Sequence, residues 1–144
     1  MKVFLDANIL FSASDEKSAT RRLLDLLSSR GKLVTSPHAW EEARRNLDGK
    51  RPQLLAGLER LRRVVIITHA FRLLPCDLDV AEKDKPILAG AIGAGCTHLW
   101  TSDRLHFGAL YGTMLHGVRI VSSTQLADVM EKLLQTPFAD WFSD

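Results

Sequence analysis

Lys2-Val-Phe-Leu-Asp-Ala-Asn-Ile-Leu10 is the stretch to read first. Val3, Phe4 and Leu5 follow one another without polar alternation. That is the pattern of a strand buried on both faces, as in the middle of a parallel sheet. A carboxylate, Asp6, stands where the strand runs out. In open α/β sheets this carboxyl edge is where ligands bind. Asp6 and Asn8 offer oxygen atoms, the donors that hard cations such as Mg²⁺ prefer. Asp6 equally suits an Asx-turn or the cap of the helix that follows. The stretch alone leaves both readings open.

Outward from it, strands and helices alternate. Leu23, Leu24, Leu26 and Leu27 place an amphipathic helix over Ser18–Ser29, stopped by Gly31. Lys32–Thr35 is a short β-prone run, and Ser36-Pro37 opens a helix with a cap residue and a proline at its first position. Ala39, Trp40, Ala43 and Leu47 form the apolar stripe of that helix, which Gly49 and Pro52 break. A further helix is expected over Pro52–Arg62. Val64–Ile67 is β-branched and reads as a third strand. Pro75, Asp77 and Asp79 make Ala70–Val80 a loop or a broken helix. Pro86–Ala94 is a helix rich in small residues, able to lie close against a sheet. Thr97–Thr101 and Val118–Val121 are the fourth and fifth strands, with Gly108, Gly112 and Gly117 marking the return between them. Ser123 or Thr124 caps a last helix carrying Leu126, Val129, Met130, Leu133 and Leu134. The expected fold is a three-layer α/β sandwich with a central, mostly parallel sheet of about five strands. One domain over residues 1–136 is expected, with an apolar tail, 137–144, docked on the domain or on a second subunit through Phe138, Trp141 and Phe142.

A chain of 144 residues with 46% hydrophobic and 25% charged content is ordinary for one globular domain. No apolar run approaches the roughly 20 residues of a membrane span. The N-terminus lacks the order of cationic region, apolar stretch and small-residue cleavage site, so a cytoplasmic location is expected. Cys76 and Cys96 have no metal-ligand spacing and read as reduced thiols. The net charge of +2 points to no partner by itself. Arg44, Arg45, Lys50, Arg51, Arg60, Arg62 and Arg63 cluster, after Arg21 and Arg22. They read either as a track for a phosphate backbone or as a solvated helix face.

The acids carry more. Asp6 and Asp103 each follow a strand. Asp84 stands at the entrance of the Pro86–Ala94 helix, and Glu41 and Glu42 lie on the second turn of the helix opened by Ser36-Pro37. Crowded carboxylates repel unless a cation compensates. One or two divalent ions would compensate, and a pair of Mg²⁺ or Mn²⁺ about 4 Å apart can activate water and stabilise the leaving oxygen of a phosphodiester. Taken singly, Asp84 and Asp103 also suit caps, and Glu42 a solvated face. The five histidines share no helical spacing and no HxxxH, and of them His106 alone is a candidate to approach the site. Trp40 and Trp100 sit in apolar patterns and read as core. Ser12, Ser14 and Ser102 lack a triad order. A phosphotransferase with Asp6 as nucleophile would want an acid where Asn8 stands.

Val3-Phe-Leu-Asp-Ala-Asn-Ile-Leu10, Thr35-Ser-Pro-His-Ala-Trp-Glu-Glu-Ala43, Asp84-Lys-Pro-Ile-Leu-Ala-Gly-Ala91 and Leu99-Trp-Thr-Ser-Asp-Arg-Leu-His-Phe107 together resemble the PIN-domain family of metal-dependent nucleases. That family includes the VapC-type toxins of toxin–antitoxin pairs. The four stretches come in the family's order. The resemblance implies that Asp6, Glu42, Asp84 and Asp103 are the catalytic, metal-holding acids for Mg²⁺ or Mn²⁺. It makes Asn8 and Thr101 supporting polar residues. Glu42 is preferred to Glu41 because the family's glutamate precedes a small or apolar residue, here Ala43. Arg44, Arg45, Arg104 and His106 are candidates for substrate binding.

The implied function is an endoribonuclease acting on single-stranded or loop RNA, with toxin status one form of it. An antitoxin partner and a homodimer would follow from that status. Many VapC-type members carry Asn at the position of Asp103 and an acid where this chain has His106, so this pattern fits other branches better. The alternative is a catalytically weak RNA-binding or regulatory module on the same fold.

Overall fold

The computed structural model describes residues 1–74, 78–135 and 139–142. Strand β1 (Lys2–Leu5) lies inside a six-stranded sheet. Its neighbours are β2 (Lys32–Thr35) and β4 (His98–Trp100), both parallel to it. Val3, Phe4 and Leu5 are all buried, although consecutive strand residues point to opposite faces. Helices therefore cover both sides of the sheet, as the unbroken apolar run requires. Strand β3 (Val65–Ile67) extends the sheet beyond β2, and β6 (Val118–Val121) extends it beyond β4. The sixth strand, β5 (Met114–Leu115), pairs antiparallel with β6. It adds one strand to the five expected. Two residues leave no periodicity to read, and the β5–β6 turn uses positive φ at His116 and Gly117.

The order β3-β2-β1-β4-β6-β5 has one reversal that matters. The chain moves outward from β1 through β2 and β3, then returns to the other side of β1. The crevice beyond the carboxyl ends of β1 and β4 is the switch point at which such sheets bind ligands. The backbone N–H of Asp6 donates to the Trp100 carbonyl at 3.1 Å, carrying the β1–β4 pairing to the lip of that crevice.

The helices are α1 (Ala7–Ala13), α2 (Ala19–Ser28), α3 (Pro37–Lys50), α4 (Leu55–Arg60), α5 (Lys85–Gly93), α6 (Arg104–Phe107) and α7 (Ser123–Leu134). Helix α3 runs through Gly49, which was expected to break it. Gly49 is exposed, and the stop is Arg51, forced out of helical conformation (φ −145°) by Pro52. The helix expected over Pro52–Arg62 is α4 with a 3₁₀ turn at each end. The cap of α7 is Ser122, one residue before the expected Ser123. Its hydroxyl accepts from the Gln125 N–H, and the Gln125 carbonyl oxygen accepts from the Ser122 N–H.

The described part of Ala70–Val80 has no helix or strand, while Pro75, Cys76 and Asp77 lie outside the described residues. Small residues let α5 be approached from two sides. A Cβ on Gly90 would come to 3.1 Å from the Phe4 ring in the sheet. One on Gly93, a turn further along the helix, would meet the backbone of Phe71, which crosses α5 there. The Arg72 N–H donates to the Ala89 carbonyl at 3.0 Å and fixes that crossing.

Trp40 and Trp100 are core residues, and the Trp100 indole N–H donates to the Ser123 hydroxyl at 2.9 Å. The Arg62 guanidinium covers the Trp40 ring. Cys96 is a buried free thiol, and burial pushes it up to about 11. In the tail, Trp141 and Phe142 pack on the core, with the Arg22 guanidinium 3.9 Å from the Trp141 ring centroid. The tail thus docks on its own domain in its described part. Pro137, Phe138 and Asp144 lie outside that part.

Candidate metal centre

Asp6 caps α1 and also lines the acidic cleft. Its Oδ1 accepts from the Ala7 N–H at 2.7 Å and so starts α1. Its Oδ2 accepts from the Thr101 hydroxyl at 2.7 Å and from the Asn8 amide at 3.3 Å. The Thr101 oxygen also accepts from the Asp103 N–H, and the Asn8 carbonyl oxygen accepts from the Ser102 N–H. Asn8 and Thr101 therefore lace the loop after β1 to the loop after β4. Tyr111 supports them from behind, its hydroxyl donating to the Thr101 carbonyl at 3.0 Å.

Asp84 ends a 3₁₀ turn, Glu82–Asp84, immediately before α5. It occupies the cap position, yet its side chain makes no capping bond. Its Oδ2 is buried without a hydrogen-bond partner among the described residues, and His106 Nδ1, at 3.6 Å, is too far to supply one. A buried carboxylate oxygen left unpaired is costly and calls for an explanation, such as an ion.

Asp103 caps α6 through Oδ1, which accepts from the His106 N–H. Its Oδ2 faces His106 Nδ1 at 2.6 Å, and a carboxylate there makes Nδ1 the donor. One ligand atom each from Asp84, Asp103 and His106 lie within 4.8 Å of one another.

Glu42 lies on the inner side of α3 and faces the same space. Asp6, Glu42, Asp84 and Asp103 all line one cleft of about 290 Å³. Glu41 turns outward, where Arg44 clasps it with two N–H donors at 2.5 and 2.8 Å.

The charges bear out the crowding. Asp6 is pushed up to about 6, chiefly by burial, with Glu42 and Asp84 adding repulsion against the hydrogen bonds from Thr101 and Ala7. Asp84 is also raised, by burial first and then by Asp103 and Glu42, with His106 and Lys83 opposing. Burial would raise Asp103 too, but its bonds to His106 and the nearby Lys83 hold it below the usual carboxylate range.

The candidates for substrate binding divide. His106 touches Asp103 at the cleft edge. Arg104 lines an adjoining cavity. Arg44 is committed to Glu41, and neither it nor Arg45 lines the cleft. Much of the basic cluster is likewise a solvated face of surface pairs: Arg60 with Glu16, Arg62 with Glu59 and, earlier in the chain, Arg21 with Asp25. Of that cluster Lys50 lines the rim of the cleft, with Asn46 and Lys83. Asn46 and Lys50 stand four and eight residues after Glu42, on the same helical face, so their placement was open to reading. Lys83 could be found as the neighbour of Asp84. Tyr111 carried no sequence signal.

The oxygen donors and the unpaired Asp84 Oδ2 fit a divalent cation of the Mg²⁺ or Mn²⁺ type. An α/β sheet with an acidic cleft at its switch point defines the class. The sequence model of the PIN domain matches residues 3–107, and the chain belongs to the PIN-domain family. No curated protein matches the chain. Among solved structures it is similar to VapBC2 from Rickettsia felis, crystallised bound to a DNA fragment from their promoter. The TM-score is 0.60 at 16% identity, covering 85% of this chain and 98% of that one. At that identity the likeness concerns the fold.

Proposed function

We propose that this PIN-domain protein is a metal-dependent endoribonuclease that hydrolyses phosphodiester bonds in single-stranded or loop RNA. The observation that carries the reading is the buried, unpartnered Asp84 oxygen in a cleft shared with Asp6, Glu42 and Asp103. These four acids would hold Mg²⁺ or Mn²⁺, which when bound supplies Lewis-acid stabilisation of the phosphate and a more acidic water. Glu42, on α3, and Asp84, at the entrance of α5, both line the cleft in which the scissile phosphate would lie. Asp6 is held in place by Thr101 and Asn8, so its orientation does not depend on substrate. Lys50 and Lys83 face the phosphate backbone as cations at the rim. Residues 1–136 form the nuclease unit in this reading, and 137–144 its docked tail.

The fold-level likeness to VapBC2 supports a toxin of VapC type, with an antitoxin covering the acidic cleft and a homodimer as the working assembly. Among the described residues no helix is long and apolar enough to cross a membrane, and the proposed location is the cytoplasm.

The test is cleavage of a 5′-labelled single-stranded RNA with Mg²⁺, with Mn²⁺ and with chelator. Products that require the metal support the reading. Intact RNA at every metal concentration, with the protein folded, rejects it in favour of a binding module. A finer expectation concerns Thr101→Val, which removes the hydroxyl that anchors Asp6. Metal affinity should fall roughly 10–100-fold, the usual cost of losing a group that orients a ligand. Calorimetric titration with Mn²⁺ reads it, and an unchanged affinity would show that Asp6 needs no such anchor.

A further inference from the structure

Beside the acidic cleft lies a second, larger cavity of about 530 Å³, within the roughly 300–1,000 Å³ span of small-ligand pockets. The two share a wall. Along Ser102-Asp103-Arg104, Asp103 lines the cleft while Ser102 and Arg104 line the cavity. A strand whose phosphate rests over the acids therefore has its neighbouring nucleotide at the mouth of the cavity.

The lining has the composition of base recognition. Tyr111 and Phe142 present aromatic surface, Gln125 an amide, and Thr124 and Ser102 hydroxyls. Gln125 uses its carbonyl oxygen within its own helix cap, and its Nε2 donor has no partner among the described residues. Arg104 is exposed and makes no ion pair among the described residues. Unstacked RNA bases are read by aromatic faces, guanidinium planes and amide donors together.

We infer that this cavity takes one nucleobase of a single-stranded RNA, next to the scissile phosphate, and so sets which sequence is cut. The base is held against Phe142 and Tyr111. Gln125 Nε2 donates to an acceptor on its edge, and Arg104 meets the adjoining phosphate. The inference rests on the nuclease reading above and names a specificity determinant for it. The mixture of aromatic, amide and cationic groups favours a nucleotide over an apolar peptide segment as occupant.

The test separates binding from hydrolysis. Fluorescence anisotropy with 5′-labelled hexaribonucleotides A6, C6, G6 and U6 is measured in chelator. It is run on the full chain and on Asp6→Asn, in which the repulsion of the acidic cleft is relieved. One homopolymer should bind about tenfold more tightly than the others. Phe142→Ala should weaken that one by roughly tenfold, the scale of one lost stacking contact. Gln125→Glu keeps an acceptor for the helix cap but removes the donor, and should level the preference among the four. Equal binding of all four, a preference the variants retain, or no binding in either background overturns the inference and leaves the cavity to a protein partner. Metal-dependent cleavage without sequence preference rejects the base site and spares the nuclease. A preference abolished by the variants in a protein that never cleaves supports the base site and rejects hydrolysis.

Discussion

Asp84→Asn should lower metal-dependent RNA cleavage by about 10³-fold or more while leaving the protein folded and at least as resistant to heat. The two halves of this result have one cause. The Asp84 side chain forms no helix cap, its inner oxygen has no hydrogen-bond partner among the described residues, and the attraction of His106 and Lys83 does not offset burial, so the fold draws no net stabilisation from its charge. Burial and the neighbouring acids instead raise its proton affinity, the signature of a charge held at a cost. Asparagine preserves the shape and removes the charge. The loss in rate follows if the carboxylate helps hold an ion worth several kcal/mol to the transition state, at ~1.4 kcal/mol per factor of ten. Single-turnover cleavage and a thermal melt in chelator measure the two effects. A variant that unfolds would make Asp84 structural, and one that cleaves at the wild-type rate would remove it from the site. Asp103→Asn should be equally inactive but gain no stability, because His106 already compensates the Asp103 charge.

The second large effect is the share of the pH dependence of stability that Asp6 contributes in the metal-free protein, which Asp6→Asn should remove. Below the ordinary carboxylate value of 3.8, Asp6 is protonated folded or unfolded and has little influence. As pH rises from there to about 6, the unfolded chain releases the proton while the folded chain retains it. The unfolded state then binds fewer protons, so stability falls with pH across that window and levels off above it. The separation of about two pH units corresponds to roughly 3 kcal/mol. The difference in unfolding free energy between Asp6→Asn and wild type, from urea denaturation in chelator, should therefore widen by about that amount from pH 4 to pH 7. A difference independent of pH would mean that the surroundings of Asp6 impose no such penalty. Added Mn²⁺ should stabilise the wild type more at pH 7 than at pH 4, since the ion compensates a charge present only at the higher pH.

The layout of the sheet was legible because β1 is apolar at consecutive positions, a local property of the chain. The missing strand, β5, is two residues long and exists only through its pairing with β6, which no local pattern encodes. Asp6 was legible as a residue with two readings, and its geometry leaves room for both. One oxygen caps α1 while the other faces Thr101. The choice of Glu42 over Glu41 came from resemblance. A physical signal was present in Arg44, three residues after Glu41 and well placed to draw it outward. For Asp84 the local reading misled. A carboxylate ahead of a Pro-initiated helix ordinarily caps it, but the 3₁₀ turn Glu82–Asp84 gives it φ −95° and ψ −10° instead of the extended backbone of a capping residue. The rim residues were split between α3 and the 3₁₀ turn before α5, and most of the basic cluster beyond Lys50 drew attention to side chains away from the cleft.

Helix α5 is held closely at two glycines, by the Phe4 ring at Gly90 and by the Phe71 backbone at Gly93. Its N-terminal end delivers Asp84. Gly93 stands at the opposite end of the same rod, so a methyl group there would have to lever the helix, or the strap over it, out of place. Damage at a position remote from every acid would then be felt as a misaligned carboxylate. Substitution at this glycine should thus disturb the cleft from a distance, for a reason that inspection of the cleft alone would never reveal.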